Sequence, residues 1–456
     1  MDFVQDENTM KKAMDSLSDR GKHATLPMTS YFADYLKALS DKYDPVANAN
    51  GYIPLCVAEN KLCEAELSSL FNISPTSGEA PFSIDNDKIV DVWYYNNMKG
   101  LDIFRKKTAE LFRDSLSLTN VEIHENDLCC MNGTGTIVEN LGWNLCNEAD
   151  GVLIPAPYYP AFDNDLTVRS NLTLIPCQML QKNMREFEFS DAALKSGYER
   201  CMSHGAFPRI LLITNPHNPT GIVMSKADIF LALKFAFFHG LHYISDEIYA
   251  RSVYASYSDT RKHKFVSALT VIQELADDEM KKWAETNLHI IWGFSKDFCV
   301  SGFRIGVLHT KNKALHLALD NLSYFGSISQ VTQSYLLRTI YSKPKEALDS
   351  FTKMSNQRLC ESANAVYKVL DQCKIPYIEG WSAIFVFIDL SSILEENSYD
   401  GEQKLQKKLF DELKVLFTPG KDCHAPCPGW FRVCIAAVSR QSLVEAFRRL
   451  SKAFFT

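Results

Sequence analysis

Gly293-Phe-Ser-Lys-Asp-Phe-Cys-Val-Ser-Gly-Phe-Arg304 follows directly on the apolar run His289-Ile-Ile-Trp292. A short run apolar on both faces reads as a strand buried between two layers, and the polar residues after it then fall at its carboxyl end. Three further runs have the same character: Gly151-Val-Leu-Ile-Pro155, Arg209-Ile-Leu-Leu-Ile-Thr214 and His242-Tyr-Ile-Ser245. Helical patterns lie between them, over Lys226 to Phe238 and Leu269 to Glu285. Strand alternating with helix predicts an α/β fold with a mainly parallel sheet. Asn218, Asp246 and Lys296 each come just after a strand. The carboxyl edge of an open α/β sheet is where ligands gather, so these three residues point to one site.

The chain has 456 residues, 46% hydrophobic and 23% charged, which predicts a globular protein with more than one core. The large α/β/α unit is expected over 61–320. A smaller α+β unit is expected over 321–456, with 1–60 as an arm that completes it. Residues 1–25 read as frayed, and Thr29 to Tyr52 as a short helix and an extended arm. Long helical patterns run over Asn312 to Leu337 and Lys345 to Gln372, followed by strand patterns over Trp381 to Asp389 and Phe431 to Ala436. A net charge of −7 argues against nucleic acid or an anionic membrane as partner. The first twenty residues carry no apolar core of a secretory signal. The apolar stretch Ile229 to Leu241 contains Lys234 and His239 and is too short to span a bilayer. Thirteen scattered cysteines show no zinc-ligand spacing, and a cytoplasmic protein with free thiols is expected.

The residues at the sheet edge have complementary chemistry. A lysine amine, ordinarily near ~10.4, is lowered by desolvation and then attacks an aldehyde. Lys296 also reads as a lysine capping a strand end. Asp246, in Ser245-Asp-Glu-Ile-Tyr249, can hold a pyridine nitrogen protonated and so make the ring an electron sink. Tyr249 and Asn218 can donate to a ring oxygen, although Asn215-Pro-His-Asn-Pro-Thr-Gly221 is equally a plain turn. Asn132-Gly-Thr-Gly-Thr136 precedes a helical pattern, so Thr134 and Gly135 would offer backbone N–H groups to an anion, with Arg304 adding charge. Tyr159, in Pro155-Ala-Pro-Tyr-Tyr-Pro160, can stack on a ring or serve as a core aromatic. Arg432 lies in an apolar strand and must be paired, either with a substrate carboxylate or with an internal acid. Together these groups suit pyridoxal 5′-phosphate (PLP) and an α-amino acid.

From about Ser30 to Ala436 the chain resembles fold type I PLP enzymes of the class I/II aminotransferases, and within them the 1-aminocyclopropane-1-carboxylate (ACC) synthase group. The marks are Ser30-Tyr-Phe32, Val57-Ala-Glu-Asn60 with Leu62, Pro155-Ala-Pro-Tyr-Tyr-Pro-Ala-Phe-Asp163, Ser295-Lys-Asp297 with Gly302-Phe-Arg304, and Pro428-Gly-Trp-Phe-Arg-Val-Cys434. The resemblance implies that Lys296 carries the cofactor and Asp246 pairs with its ring nitrogen. It implies that Asn218 and Tyr249 bind the ring oxygen, that Tyr159 stacks, that Arg304, Thr134 and Gly135 bind phosphate, and that Ser295 and Tyr95 also contact the cofactor. Arg432 would hold the substrate carboxylate, with Glu59 and Tyr31 lining the substrate pocket. A homodimer with shared sites follows from the same resemblance. Plant ACC synthases read Asp-Tyr-His-Gly-Leu where this chain has Asn97-Met-Lys-Gly-Leu101, so their tyrosine is Met98. Tyr95 has the spacing of the aminotransferase tyrosine. The family's phosphate-binding serine is Gly293 here.

Three enzyme activities fit these residues. The first is a lyase of the ACC synthase type, which removes the α-proton and expels a group from the γ-carbon of S-adenosylmethionine or a related sulfur-bearing amino acid. The second is an aminotransferase and the third a β-eliminating C–S lyase. A catalytically silent binding protein would be expected to have lost Lys296, Asp246 or Arg304, and all three are present.

Overall fold

The computed structural model describes residues 14, 16–18, 22, 24–27, 29–71, 94–180, 187–254 and 264–455. Most of the stretch expected to be frayed, 1–25, lies outside these. Among the described residues thirteen strands are present: β1 (Ile53–Pro54), β2 (Leu128–Met131), β3 (Gly151–Ala156), β4 (Thr173–Gln178), β5 (Pro208–Thr214), β6 (His242–Asp246), β7 (Leu288–Gly293), β8 (Gly306–Thr310), β9 (Tyr377–Ile378), β10 (Phe385–Asp389), β11 (Val415–Leu416), β12 (Thr418–Pro419) and β13 (Trp430–Cys434).

Seven of them form one sheet in the order β2-β8-β7-β6-β5-β3-β4. Neighbours from β7 to β4 run parallel, while β8 is antiparallel to both β2 and β7. Alternation along the strands separates two cores. Leu211, Ile213, Tyr243, Ile290 and Trp292 pack on one face. Ile210, Leu212, Ile244 and Ile291 pack on the other. Burial on both faces is why these strands are apolar throughout. The helix Lys226–Phe238 between β5 and β6 starts at a capping box: the Ser225 hydroxyl accepts from the Asp228 N–H, and the Asp228 carboxylate accepts from the Ser225 N–H.

A second sheet, antiparallel in the order β12-β13-β10-β9, packs with the helices Lys345–Cys373 and Arg440–Phe454 around its own core. The early arm joins this part of the molecule. After the helix Phe32–Ser40, β1 pairs in parallel with β11, Ile53 opposite Val415. The Cys434 N–H then donates to the Leu55 carbonyl at 2.8 Å.

Three expected elements differ. The helical pattern Leu269 to Glu285 is two helices, Ala268–Glu274 and Asp278–Asn287, because the Asp277 carboxylate accepts from the Met280 N–H and starts a new one. The pattern Asn312 to Leu337 breaks at Ser327–Ser329 into Lys313–Gly326 and Gln330–Arg338, with Ser327 extended after the first helix. The strand pattern from Trp381 begins only at Phe385. Among the described residues, no helix is long and apolar enough to cross a membrane, and no cluster of His, Cys, Asp and Glu could hold a metal.

Candidate active site

The parallel register puts Thr214 opposite Asp246 and Asp246 opposite Ile291, so β5, β6 and β7 end at one level. Asn218, Asp246 and the one-turn helix Phe294–Asp297 that carries Lys296 therefore share one edge. Lys296 Nζ donates to the Ala58 carbonyl at 2.6 Å. Burial pulls its amine down to about 8, with Arg432 and Arg304 lowering it further against the opposing effect of Cys434 and Glu59. An amine so placed is partly neutral near physiological pH and hence nucleophilic.

Asp246 is buried, and burial pushes its carboxyl up to about 7. Its two donors are distant: the Ile248 N–H at 3.4 Å and the Thr214 hydroxyl at 3.5 Å. A carboxylate solvated so poorly suits a cationic partner such as a protonated ring nitrogen.

Among the described residues, Arg432 contacts only neutral groups. Nη1 donates to Asn218 Oδ1 at 3.0 Å, and Nη2 to the Cys56 carbonyl at 3.0 Å and the Thr418 hydroxyl at 3.1 Å, while Nε has no partner among the described residues. The guanidinium lies 4.5 Å over the Phe385 ring. Among the described residues it forms no ion pair, so the internal-acid reading of this arginine has no acid to supply it. A buried guanidinium with a free Nε suits an incoming carboxylate. Tyr31 is buried close to Arg432 and Thr418, and burial raises its hydroxyl above the ordinary range. Tyr249 is buried against Phe385, edge to face at 5.8 Å, and burial raises it too, with Arg432 opposing. Half-buried Tyr159 sits edge to face with Phe162 at 5.2 Å.

The anion cradle is the start of the twelve-residue helix Thr134–Leu145. Gly133 before it has φ of 90°, and a side chain there would come 2.5 Å from Arg304 Nη2. The arginine therefore lies directly over the turn, fixed by its own Nη1 donating to the Ser301 carbonyl at 3.1 Å. Gly293 also has a local cause: a Cβ there would meet the Ile305 carbonyl oxygen at 2.6 Å and Thr134 Cγ2 at 3.3 Å. Ser295 is buried in the lysine's own turn. Donors and charges of this kind fit the phosphate, ring and aldehyde of PLP.

Glu59 Oε1 accepts from Ser301 Oγ at 3.2 Å, and Glu59 follows the Ala58 whose carbonyl meets Lys296. Tyr95 lies apart from this cluster. It is 83% exposed, on a surface groove with Tyr94, Met98 and Tyr324.

Two groups beside the site escaped the sequence reading. Asp297, next to Lys296, accepts from Trp292 Nε1 at 3.0 Å, Ser252 Oγ at 2.8 Å and the Arg251 N–H at 3.1 Å, which fixes the lysine's turn. Its place in Ser295-Lys-Asp297 was a visible signal. Asp165 is pushed up to about 7 by burial and faces Gly135, whose absent Cβ would lie 3.5 Å from its carboxylate. Nothing in the sequence marks it.

The chain matches the family described as aminotransferase class I and II over residues 86–450. ACC synthase CMA101 of Cucurbita maxima is 30% identical over 94% of this chain and 87% of its own length. The ACC synthase of Malus domestica is 30% identical over 93% and 87%. Among solved structures, aspartate aminotransferase from Thermus thermophilus with maleate has a TM-score of 0.74 at 19% identity, covering 96% of this chain and 99% of that one. The fold is thus that of the aspartate aminotransferases. With the lysine, aspartate and arginines converging on one sheet edge, the chain belongs to the class I and II aminotransferases, a family of PLP-dependent enzymes, and within it to the ACC synthase group.

Proposed function

We propose that this protein is a lyase of the ACC synthase type, acting on S-adenosylmethionine or a related sulfur-bearing amino acid. The observation that carries this is the placement of Glu59. Glu59 follows the Ala58 whose carbonyl meets Lys296, and a carboxylate whose charge reaches that amine suits a sulfonium on the substrate side chain. PLP, when bound, supplies an aldehyde for the lysine and a ring that accepts the electron pair left at the α-carbon. Lys296, Asp246, Tyr249, Asn218 and Tyr159 would hold the ring, and Arg304, Thr134 and Gly135 the phosphate, with Ser295 beside the lysine.

The chain's own groups then divide the work. Arg432 grips the substrate carboxylate and, with Tyr31, fixes which bond at the α-carbon faces the lysine. Lys296, neutral once its proton is lost, takes the α-proton. Asp246 would pair its carboxylate with the protonated ring nitrogen and so keep the ring electron-poor. Glu59 steers the departing sulfur group at the γ-carbon. Release of methylthioadenosine from S-adenosylmethionine tests this; no release at saturating PLP would sink it.

An aminotransferase remains the second reading, favoured by Met98 in place of the tyrosine of the plant synthases and by Tyr95. Conversion of bound PLP to its amine form by an amino acid would distinguish it. A homodimer is supported by the exposed aromatics Tyr94, Tyr95, Tyr324 and Phe325, which an aqueous surface does not favour. A cytoplasmic setting is supported by thirteen free cysteines.

A further inference from the structure

Glu59 is already paired. Its Oε2 lies 3.1 Å from Lys61 Nζ, while Oε1 accepts from Ser301. Both carboxylate oxygens are engaged, one of them by a full positive charge. The backbone holds this arrangement. The Lys61 N–H donates to the Ala436 carbonyl at 2.8 Å, and the Cys434 thiol donates to the Glu59 carbonyl at 3.6 Å, so both residues are tied to the end of β13. They line a cavity of about 310 Å³ with Tyr35, Val57, Glu64 and Ala437. The side chains are 34% exposed for Glu59 and 41% for Lys61. The ammonium can therefore swing out to water without being left buried and unpaired.

We infer that Lys61 is a specificity-determining residue: its ammonium is a resident counter-ion on Glu59 that a cationic substrate side chain must displace and an uncharged one need not. This rests on the sulfonium reading of Glu59 given above. A carboxylate that holds one cation attracts a second less strongly, and the two cations repel each other at this range. A pair this exposed is weak, so the effect is several-fold and not a block. Lys61 thereby narrows the preference for a sulfonium over the corresponding thioether.

The test uses the PLP-loaded protein and two ligands that differ in that charge, S-adenosylmethionine and S-adenosylhomocysteine. Dissociation constants are read from the first visible absorbance change after rapid mixing, before S-adenosylmethionine turns over. In Lys61→Gln the ratio of the two constants should move about three- to five-fold toward S-adenosylmethionine. In Lys61→Arg, which keeps the charge, it should stay at the wild-type value. An unchanged ratio in Lys61→Gln overturns the inference while leaving the sulfonium reading intact. If wild type and both variants bind S-adenosylhomocysteine but none binds S-adenosylmethionine, the sulfonium reading itself fails and takes the inference with it.

Discussion

Lys296 Nζ and the carbonyl of Ala58 are joined by a 2.6 Å hydrogen bond, across 238 residues of sequence. The bond ties the early arm to the strand end that carries the reactive amine. It also brings Glu59 to the site, since Glu59 is the next residue along the arm.

The amine's protonation sets a measurable pH dependence. Burial lowers Lys296 to about 8, so below that pH the neutral, nucleophilic fraction falls up to about tenfold per unit. The rate at which apoprotein takes up PLP should therefore rise from about pH 6.5 to about 8 and level off above it. Stopped-flow absorbance reads this directly. A rate that is flat across that range would show that another group captures the cofactor.

Among the described residues, buried Asp246 has two long hydrogen bonds to set against its charge. Burial pushes its carboxyl up to about 7, and a cation at the ring position would draw it back down. Asp246→Asn keeps the shape and removes the charge. Its α-proton removal should fall roughly 10²–10³-fold in single-turnover experiments, with PLP still bound through the phosphate. A loss of less than about tenfold would mean the carboxylate does not face the ring nitrogen.

Much of this site was legible because strand ends are legible. Lys296, Asp246 and Asn218 each follow a run of apolar residues, and such runs stop where a sheet reaches its edge. Arg432 stood out as a cation inside an apolar strand. The rest depended on contacts distant in sequence. No local pattern says that the Ala58 carbonyl meets Lys296, or that Asp165 faces Gly135. β8 was invisible for another reason: Gly306-Val-Leu-His-Thr310 follows the lysine run closely and resembles its continuation, yet it turns back antiparallel between β2 and β7. Helix breaks such as the one at Asp277 depend on one cap that competes with a continuous helical pattern. Tyr95 was placed by spacing, and spacing says nothing about which chain's site a residue serves.

Arg432 makes its contacts with neutral acceptors, with Nε left over. Arg432→Lys keeps a charge but loses the planar fork. Affinity for amino-acid substrates should fall by about 1.5–3 kcal/mol, or roughly ten- to 150-fold. The matching amines that lack the α-carboxylate should bind as they do to wild type. Equal losses for both series, measured by absorbance titration, would show a structural role only.

Gly133 is held at φ 90° beneath the Arg304 guanidinium. Gly133→Ala strains the backbone and pushes the arginine off the turn. PLP should then dissociate at least about tenfold more readily, whereas pyridoxal, which lacks the phosphate, should be unaffected. Equilibrium dialysis of both forms separates the two outcomes. A parallel loss for pyridoxal would locate the damage elsewhere.

Tyr95 is 83% exposed in one chain, outside the cluster around Lys296. If two chains pair through the face carrying Tyr94, Tyr324 and Phe325, its ring becomes available to the partner's site. Tyr95→Ala and Lys296→Ala should then each be nearly inactive alone. Mixed and reassembled, half of the dimers carry one chain of each kind, and each such dimer has one site with its own Lys296 and the other chain's Tyr95. About a quarter of wild-type activity should return, because one site in four is complete. No recovery, with mixed dimers confirmed by mass, would leave Tyr95 serving its own chain or no site at all.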